Sequence, residues 1–137
     1  MTSDVIRKIE RYFNDRPEAV AVYLFGSYAG GREKRFSDID LGVLLEREML
    51  SKQSDLERTY LVGLGRVLCK DCHIVIMNRA GEGILTQIFK HGKCVFLRRP
   101  EALSRFKMVS YAMIADFGFN RNLMEKGFLS RILGDGQ

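Results

Sequence analysis

Leu24-Phe25-Gly26-Ser27, ten residues, then Asp38-Ile39-Asp40-Leu41 is the stretch on which the reading of this chain turns. Upstream, Ala19-Val-Ala-Val-Tyr-Leu-Phe25 is a continuous apolar, β-branched-rich run, which reads as a buried strand ended by Gly26. Downstream, Asp38 to Leu45 alternates at its start and then turns apolar, a second strand most easily paired beside the first. Between them, Ser27 to Arg35 leaves room only for a short helix or turn. A strand that stops at glycine and continues into serine at a helix start offers backbone N–H groups, a hydroxyl and partial positive charge to an anion. Asp38 and Asp40, two apart on a strand, project from the same face. Two carboxylates that close repel one another, so the spacing suggests a cation between them, and oxygen ligands point to Mg²⁺ or Mn²⁺. Each half alone is weak, because Gly-Ser is usually a plain turn and Asp-x-Asp is usually solvated. Together they describe a site for a nucleoside triphosphate and a divalent metal.

The rest of the chain supplies a frame for that site. Val5, Ile6, Ile9 and Phe13 recur with helical spacing over about residues 3–14, and Pro17 ends that helix. Ser54-Asp-Leu-Glu57 has the form of a capping box, followed by a stripe of Leu56, Tyr60, Leu61, Leu64, Val67 and Leu68. Ile74 to Met77 reads as a third strand and Asn78 to Gly83 as a loop. Ile84, Leu85, Ile88 and Phe89 mark a short helix with Gly92 as its C′ residue, and Cys94 to Leu97 reads as a fourth, edge strand. After Pro100 comes one long helix whose expected seam is Leu103, Phe106, Val109, Met113 and Phe117. The apolar tail, through Leu123, Phe128 and Ile132, exceeds what a small sheet needs, so a homo- or hetero-oligomeric contact through the C-terminal helix is expected. The fold class is α+β: a small mixed sheet with helices packed on it.

With 137 residues, 46% hydrophobic and 28% charged, the chain has the size and composition of one globular domain, residues 1–137, with a sheet-containing core over 1–97 and a helical segment over 98–137. No leader or membrane-length apolar run is visible, so the expected location is the cytoplasm, with no membrane partner. A net charge of +5, spread along the chain, mildly favours an anionic ligand and does not predict sequence-specific DNA binding. Three cysteines suit a reducing compartment, as unpaired thiols buried or half-buried. Cys69-Lys-Asp-Cys72-His73 matches the C-x-x-C-H haem spacing, but nothing indicates export, and zinc would need a further ligand from His91 or Cys94. Arg98-Arg99 reads as a solvated pair at a strand end. Tyr28 and Arg32 flank the cradle, where base or phosphate contact competes with simple solvation.

Gly26, Ser27, Ala29, Gly31, Ser37, Asp38, Asp40 and Leu41 together resemble the Gly-Ser-x10-Asp-x-Asp signature of the polymerase-β nucleotidyltransferase superfamily. The whole chain is similar to its minimal, MNT-type group, which includes antitoxins paired with HEPN ribonuclease toxins. The resemblance implies a polymerase-β-like fold and Mg²⁺-dependent transfer of AMP from ATP to a hydroxyl of a partner protein, for the antitoxins a tyrosine of a HEPN toxin. It implies Asp38 and Asp40 as catalytic metal ligands, with Gly26 and Ser27 holding the triphosphate. The superfamily commonly adds a third carboxylate opening a later apolar run. Here His73-Ile-Val-Ile-Met-Asn78 fills that run, so His73 stands in the acid's slot. Asp71, two residues earlier, is a possible substitute, and His73 itself could serve as base or ligand. Two alternatives remain: a module of this fold that neutralises its partner by contact, and a small-molecule enzyme acting on an aminoglycoside-like hydroxyl. The latter usually carries a larger second domain.

Overall fold

The apolar stripe Ile9–Phe13 and the run beginning at Ala19 meet directly in the computed structural model, which describes residues 2–26 and 38–121. Helix α1 (Thr2–Asn14) is followed by strand β1 (Ala19–Phe25), buried along its whole length, and strand β2 (Ile39–Leu45). A 3-10 turn (Arg47–Lys52) leads into helix α2 (Gln53–Leu68), strand β3 (Cys72–Ile76) and a second 3-10 turn (Met77–Arg79). Helix α3 (Glu82–His91), strand β4 (Lys93–Leu97) and helix α4 (Pro100–Arg121) complete the order. Readings of Ser27, Tyr28 and Arg32, and of the side chains beyond Ala115, lie outside the described residues.

The sheet runs β3-β2-β1-β4. β1 lies antiparallel to β2, with Phe25 opposite Asp40, and antiparallel to β4. β3 lies parallel to β2, with His73 beside Asp40. A parallel neighbour needs a crossover, and α2 supplies it. The expected mixed α+β sheet is therefore present, with β4 at an edge.

Strand alternation divides the core in two. Val22 and Leu24 of β1 and Ile39, Leu41 and Val43 of β2 face α1 and α2, where Ile9, Phe13, Tyr60 and Leu64 are fully buried. Ala21, Tyr23, Phe25 and Leu44 face Met77, Leu85 and Ile88, with Leu103 of α4 closing that side. Asp40 and Gly42 belong to this second face. Gly42 is bare because a Cβ there would press against Ile88 and Met77, at 3.0 and 3.2 Å.

Several local expectations are corrected. The Ser54–Glu57 capping box does not form: α2 already begins at Gln53, and its flanking Lys52 makes no side-chain cap. The preceding 3-10 turn runs straight into the helix, and the Leu50 carbonyl accepts from the Gln53 N–H, so the serine cap is not needed. Gly92 does end α3, yet with an extended backbone rather than the left-handed C′ form. Its glycine is required by contact, since a Cβ would collide with the Ile88 carbonyl oxygen. The left-handed cap belongs instead to Cys69, at φ 53°, ending α2.

β3 starts two residues earlier than expected, because Cys72 is buried under α2 and the Ile39 N–H donates to the Asp71 carbonyl at 3.0 Å. In α4 the buried positions are Leu103, Ser110, Tyr111 and Ile114, whereas Val109 is 62% exposed and Met113 also faces out. Phe89 decides the stripe, meeting Tyr111 and Phe106 edge-on at 5.7 and 6.3 Å.

Arg98 is not a solvated charge. Its guanidinium donates to the carbonyls of Phe13 and Asn14 at the end of α1, of Arg16 in the turn that follows, and of Ala19 at the start of β1. Arg99 pairs with Glu46 at 2.5 Å. Of the thiols, Cys72 is buried while Cys69 and Cys94 are exposed, and all three are free. Among the described residues no helix is long and apolar enough to cross a membrane.

Candidate nucleotide and metal site

Strand register alone brings the site together. Phe25 pairs with Asp40, so Gly26, the next residue, sits beside the Asp40 side chain. Gly26 has φ +75°, a left-handed backbone that glycine adopts at no steric cost. A Cβ at Gly26 would run into Oδ2 of Asp40. The glycine thus does two things: it turns the chain at the end of β1 and leaves room for a carboxylate.

On the other side of β2, the parallel register places His73 level with Asp40. Nδ1 of His73 lies 3.0 Å from Oδ1 of Asp40, and Nε2 of the same ring lies 3.3 Å from Oδ2 of Asp38. One oxygen of Asp40 therefore faces Gly26 and the other faces His73. The ring, 65% exposed, spans both carboxylates. Donation to both carboxylates at once requires hydrogen on both ring nitrogens.

Asp71 directly precedes β3 and is exposed. It lines a cleft with Asp38 and His73, and among the described residues its carboxylate has no hydrogen-bond or ion-pair partner. The field at this end of the sheet is negative. The Cys72 thiol is pushed up to about 11, first by burial and then by the charges of Asp71, Asp38 and Asp40.

Of the residues singled out in sequence, the fold brings Gly26, Asp38, Asp40, Asp71 and His73 to one end of the sheet, while Ser27 lies outside the described residues. As they stand, and among the described residues, no group of three or more His, Cys, Asp or Glu side chains could hold a metal ion. The donor chemistry of Asp38 and Asp40 nevertheless fits a hard divalent cation. Among the described residues, the exposed His73 imidazole is the side chain that lies against both carboxylates. Sequence reasoning missed the α2 side of this end, where Leu61 and Gly65 line the same cleft as Asp71. Its spacing puts Leu61 in the apolar stripe of α2, yet it is 44% exposed. Its position seven residues after Ser54 carries no signal that it faces outward.

The polymerase-β nucleotidyltransferase family model matches residues 7–101. No curated protein matches the chain. Among solved structures, a toxin–antitoxin complex with AMP-PNP is similar at 21% identity and TM-score 0.68, covering 93% of this chain and 98% of the other. A tri-AMPylated Shewanella oneidensis HEPN toxin in complex with MNT antitoxin is similar at 19% identity and TM-score 0.65, covering 97% and 99%. An MntA–HepT toxin–antitoxin complex gives 17% identity and TM-score 0.63, covering 96% and 98%. At these identities the likeness is one of fold, but the family model spans most of the chain. Helices on both faces of a mixed four-stranded sheet, with Gly26 and the Asp38-x-Asp40 pair at its end, fit that match, and the chain belongs to the polymerase-β nucleotidyltransferase family.

Proposed function

We propose that this protein is a divalent-metal-dependent nucleotidyltransferase that moves AMP from ATP to a hydroxyl of a partner protein of the HEPN toxin type, acting as its antitoxin. The observation that carries the reading is that Asp38 and Asp40 both reach one His73 ring, with Gly26 against the Asp40 carboxylate. The similarity to MNT antitoxins in complex with HEPN toxins supports the partner class.

Asp38 and Asp40 would hold a Mg²⁺ or Mn²⁺ ion, which supplies charge neutralisation to a bound triphosphate. Gly26 and Ser27, at the end of β1, would present backbone N–H groups and a hydroxyl to the phosphates. Asp71, which lines a cleft with Asp38 and His73, would take the proton of the acceptor hydroxyl. Catalysis of this kind is chiefly positioning and electrostatics.

One observation favours a second reading. His73 stands where the superfamily commonly has a carboxylate, hydrogen-bonded to Asp40 and 3.3 Å from Asp38, so a module that neutralises its partner by contact alone is the competing account. Labelled ATP, Mg²⁺ and the co-purified partner separate the two. Transfer of label to the partner that disappears in Asp38→Ala/Asp40→Ala is the expected result. Full neutralisation by that double variant, with no label transferred by wild type, would establish the contact reading instead.

A further inference from the structure

We propose that the cavity between α4 and the 3-10 turn after β2 is a second ligand site, and that it takes a small amphipathic anion, an organic carboxylate with an apolar body. It lies at the Leu45 end of β2, away from Asp40, so its occupant does not compete for the catalytic end of the sheet.

The chain opens this space in several places at once. β3 ends at Ile76, which pairs with Val43, so Leu44 and Leu45 run on with no strand on that side. The Asn78 side chain bonds the Leu45 backbone there instead. The register between β1 and β2 shifts between Ala19 and Ala21, which makes Val20 the extra residue of a bulge, packed on the face that also carries Leu44. On α4, Ala102, Arg105, Phe106 and Val109 recur at the spacing of one helical stripe. That stripe is separate from the buried one of Leu103, Ser110, Tyr111 and Ile114.

The result is a cavity of about 570 Å³. Small organic ligands occupy sites of about 300–1,000 Å³. Val20 and Leu44, both buried, form the floor, with Leu50 on the side of the turn and Phe106 and Val109 on the side of α4. Val109 is exposed because it walls this cavity rather than the core. A ligand body without polar atoms fits such a lining, since it leaves no hydrogen bond to water unreplaced.

Charge on the rim is divided unevenly. Arg99 donates to Glu46 at 2.5 Å, lies 3.8 Å from Glu101, and feels the charge of Glu48 as well. The acids of this end thus gather on one arginine. Arg47 and Arg105 also line the cavity, and among the described residues neither forms an ion pair. Arg105 stands one helical turn before Val109, beside the apolar wall. A carboxylate head meets these uncommitted guanidiniums with opposite charge and planar, paired hydrogen-bond donors. An ammonium head would meet them with like charge.

The test is calorimetric titration of the full chain with decanoate, with decyltrimethylammonium as the charge-reversed probe. Decanoate should bind saturably, and the cation should bind about tenfold or more weakly than it. Arg105→Glu, which reverses the rim charge, and Val109→Asp, which puts a carboxylate on the apolar wall, should each weaken decanoate binding by about tenfold or more. Both positions are exposed, so circular dichroism should show the wild-type fold in each variant. Arg11→Glu, the same charge change at an exposed position of α1, should bind decanoate as wild type does. No saturable decanoate binding, equal binding of the two probes, undiminished affinity in either cavity variant, or an equal loss in Arg11→Glu would overturn the site.

Discussion

Replacing Gly26 with alanine should damage the protein in two separable ways. The residue sits at φ +75°, where a side chain costs about 1–2 kcal/mol of backbone strain. Its new Cβ would also overlap Oδ2 of Asp40 and come within 3.2 Å of the Asp40 carboxyl carbon, an overpacking that costs about 1–3 kcal/mol if the carboxylate must move. Gly26→Ala should therefore lower the unfolding free energy by about 2–5 kcal/mol. Asp40→Ala removes the colliding carboxylate and leaves only the Asp40 Cβ, 3.4 Å away and in ordinary contact. In that background the same glycine replacement should cost only the strain, about 1–2 kcal/mol. Urea unfolding of the four proteins in this double-mutant cycle measures the difference. A coupling of about 1–3 kcal/mol is expected. Additive costs would mean that Gly26 and the Asp40 carboxylate do not touch, and the account of how β1 shapes the site would fail.

Gly92→Ala should cost about 2 kcal/mol, read by thermal unfolding, because its Cβ would press on the Ile88 carbonyl and lie 3.3 Å from that of Leu24. Its φ of −81° suits any residue, so a smaller loss would show that the α3–β4 corner relaxes freely. Asn78→Ala should cost about 1–3 kcal/mol by removing two bonds to the Leu45 backbone, one accepted at 2.9 Å and one donated at 3.0 Å. Asn78→Asp should recover only part of this, since it keeps the acceptor and loses the donor. Cys72 makes a pH prediction. Its thiol titrates near 11 folded against 9.0 ordinarily, so above about pH 9 the unfolded chain gives up the proton first. Stability should fall between pH 9 and 11 by about 1–3 kcal/mol. Cys72→Ala should flatten that part of the pH profile, and an unchanged slope would refute the assignment. At pH 8, Cys69 should react with a thiol reagent well before Cys72, which is buried.

What the sequence made legible was periodic or spaced. β1 is found at the residues its apolar run marked, and β2 begins one residue later than its own. Asp38 and Asp40 were paired by spacing alone, and both reach the His73 ring although Asp38 lies just ahead of β2. The juxtaposition of His73 with both aspartates was hidden, because it depends on the parallel register of β2 and β3 and on which residue starts β3. The same limit hid Arg98 and Asn78. Each satisfies backbone groups far away in sequence, and a lone polar residue at a strand end gives no hint of its distant partner. The α4 seam failed for a different reason. That helix is apolar on more than one side, so periodicity offered several stripes, and the ring contacts of Phe89 selected one. Leu61 shows the converse: a residue in register with a buried stripe that lies at the stripe's rim, facing the cleft.

The central claim is that the Gly26–Asp38–Asp40 end of the sheet binds a metal–triphosphate complex. Calorimetric titration of the protein with ATP and Mg²⁺ tests it most directly, comparing wild type with Asp38→Asn/Asp40→Asn and with Arg99→Ala, whose ion pair with Glu46 lies at the opposite end of β2. Wild type and Arg99→Ala should bind alike, while the aspartate variant should lose roughly tenfold or more in affinity, about 1.4 kcal/mol or above. Equal binding by all three proteins, or none by wild type, would contradict the account.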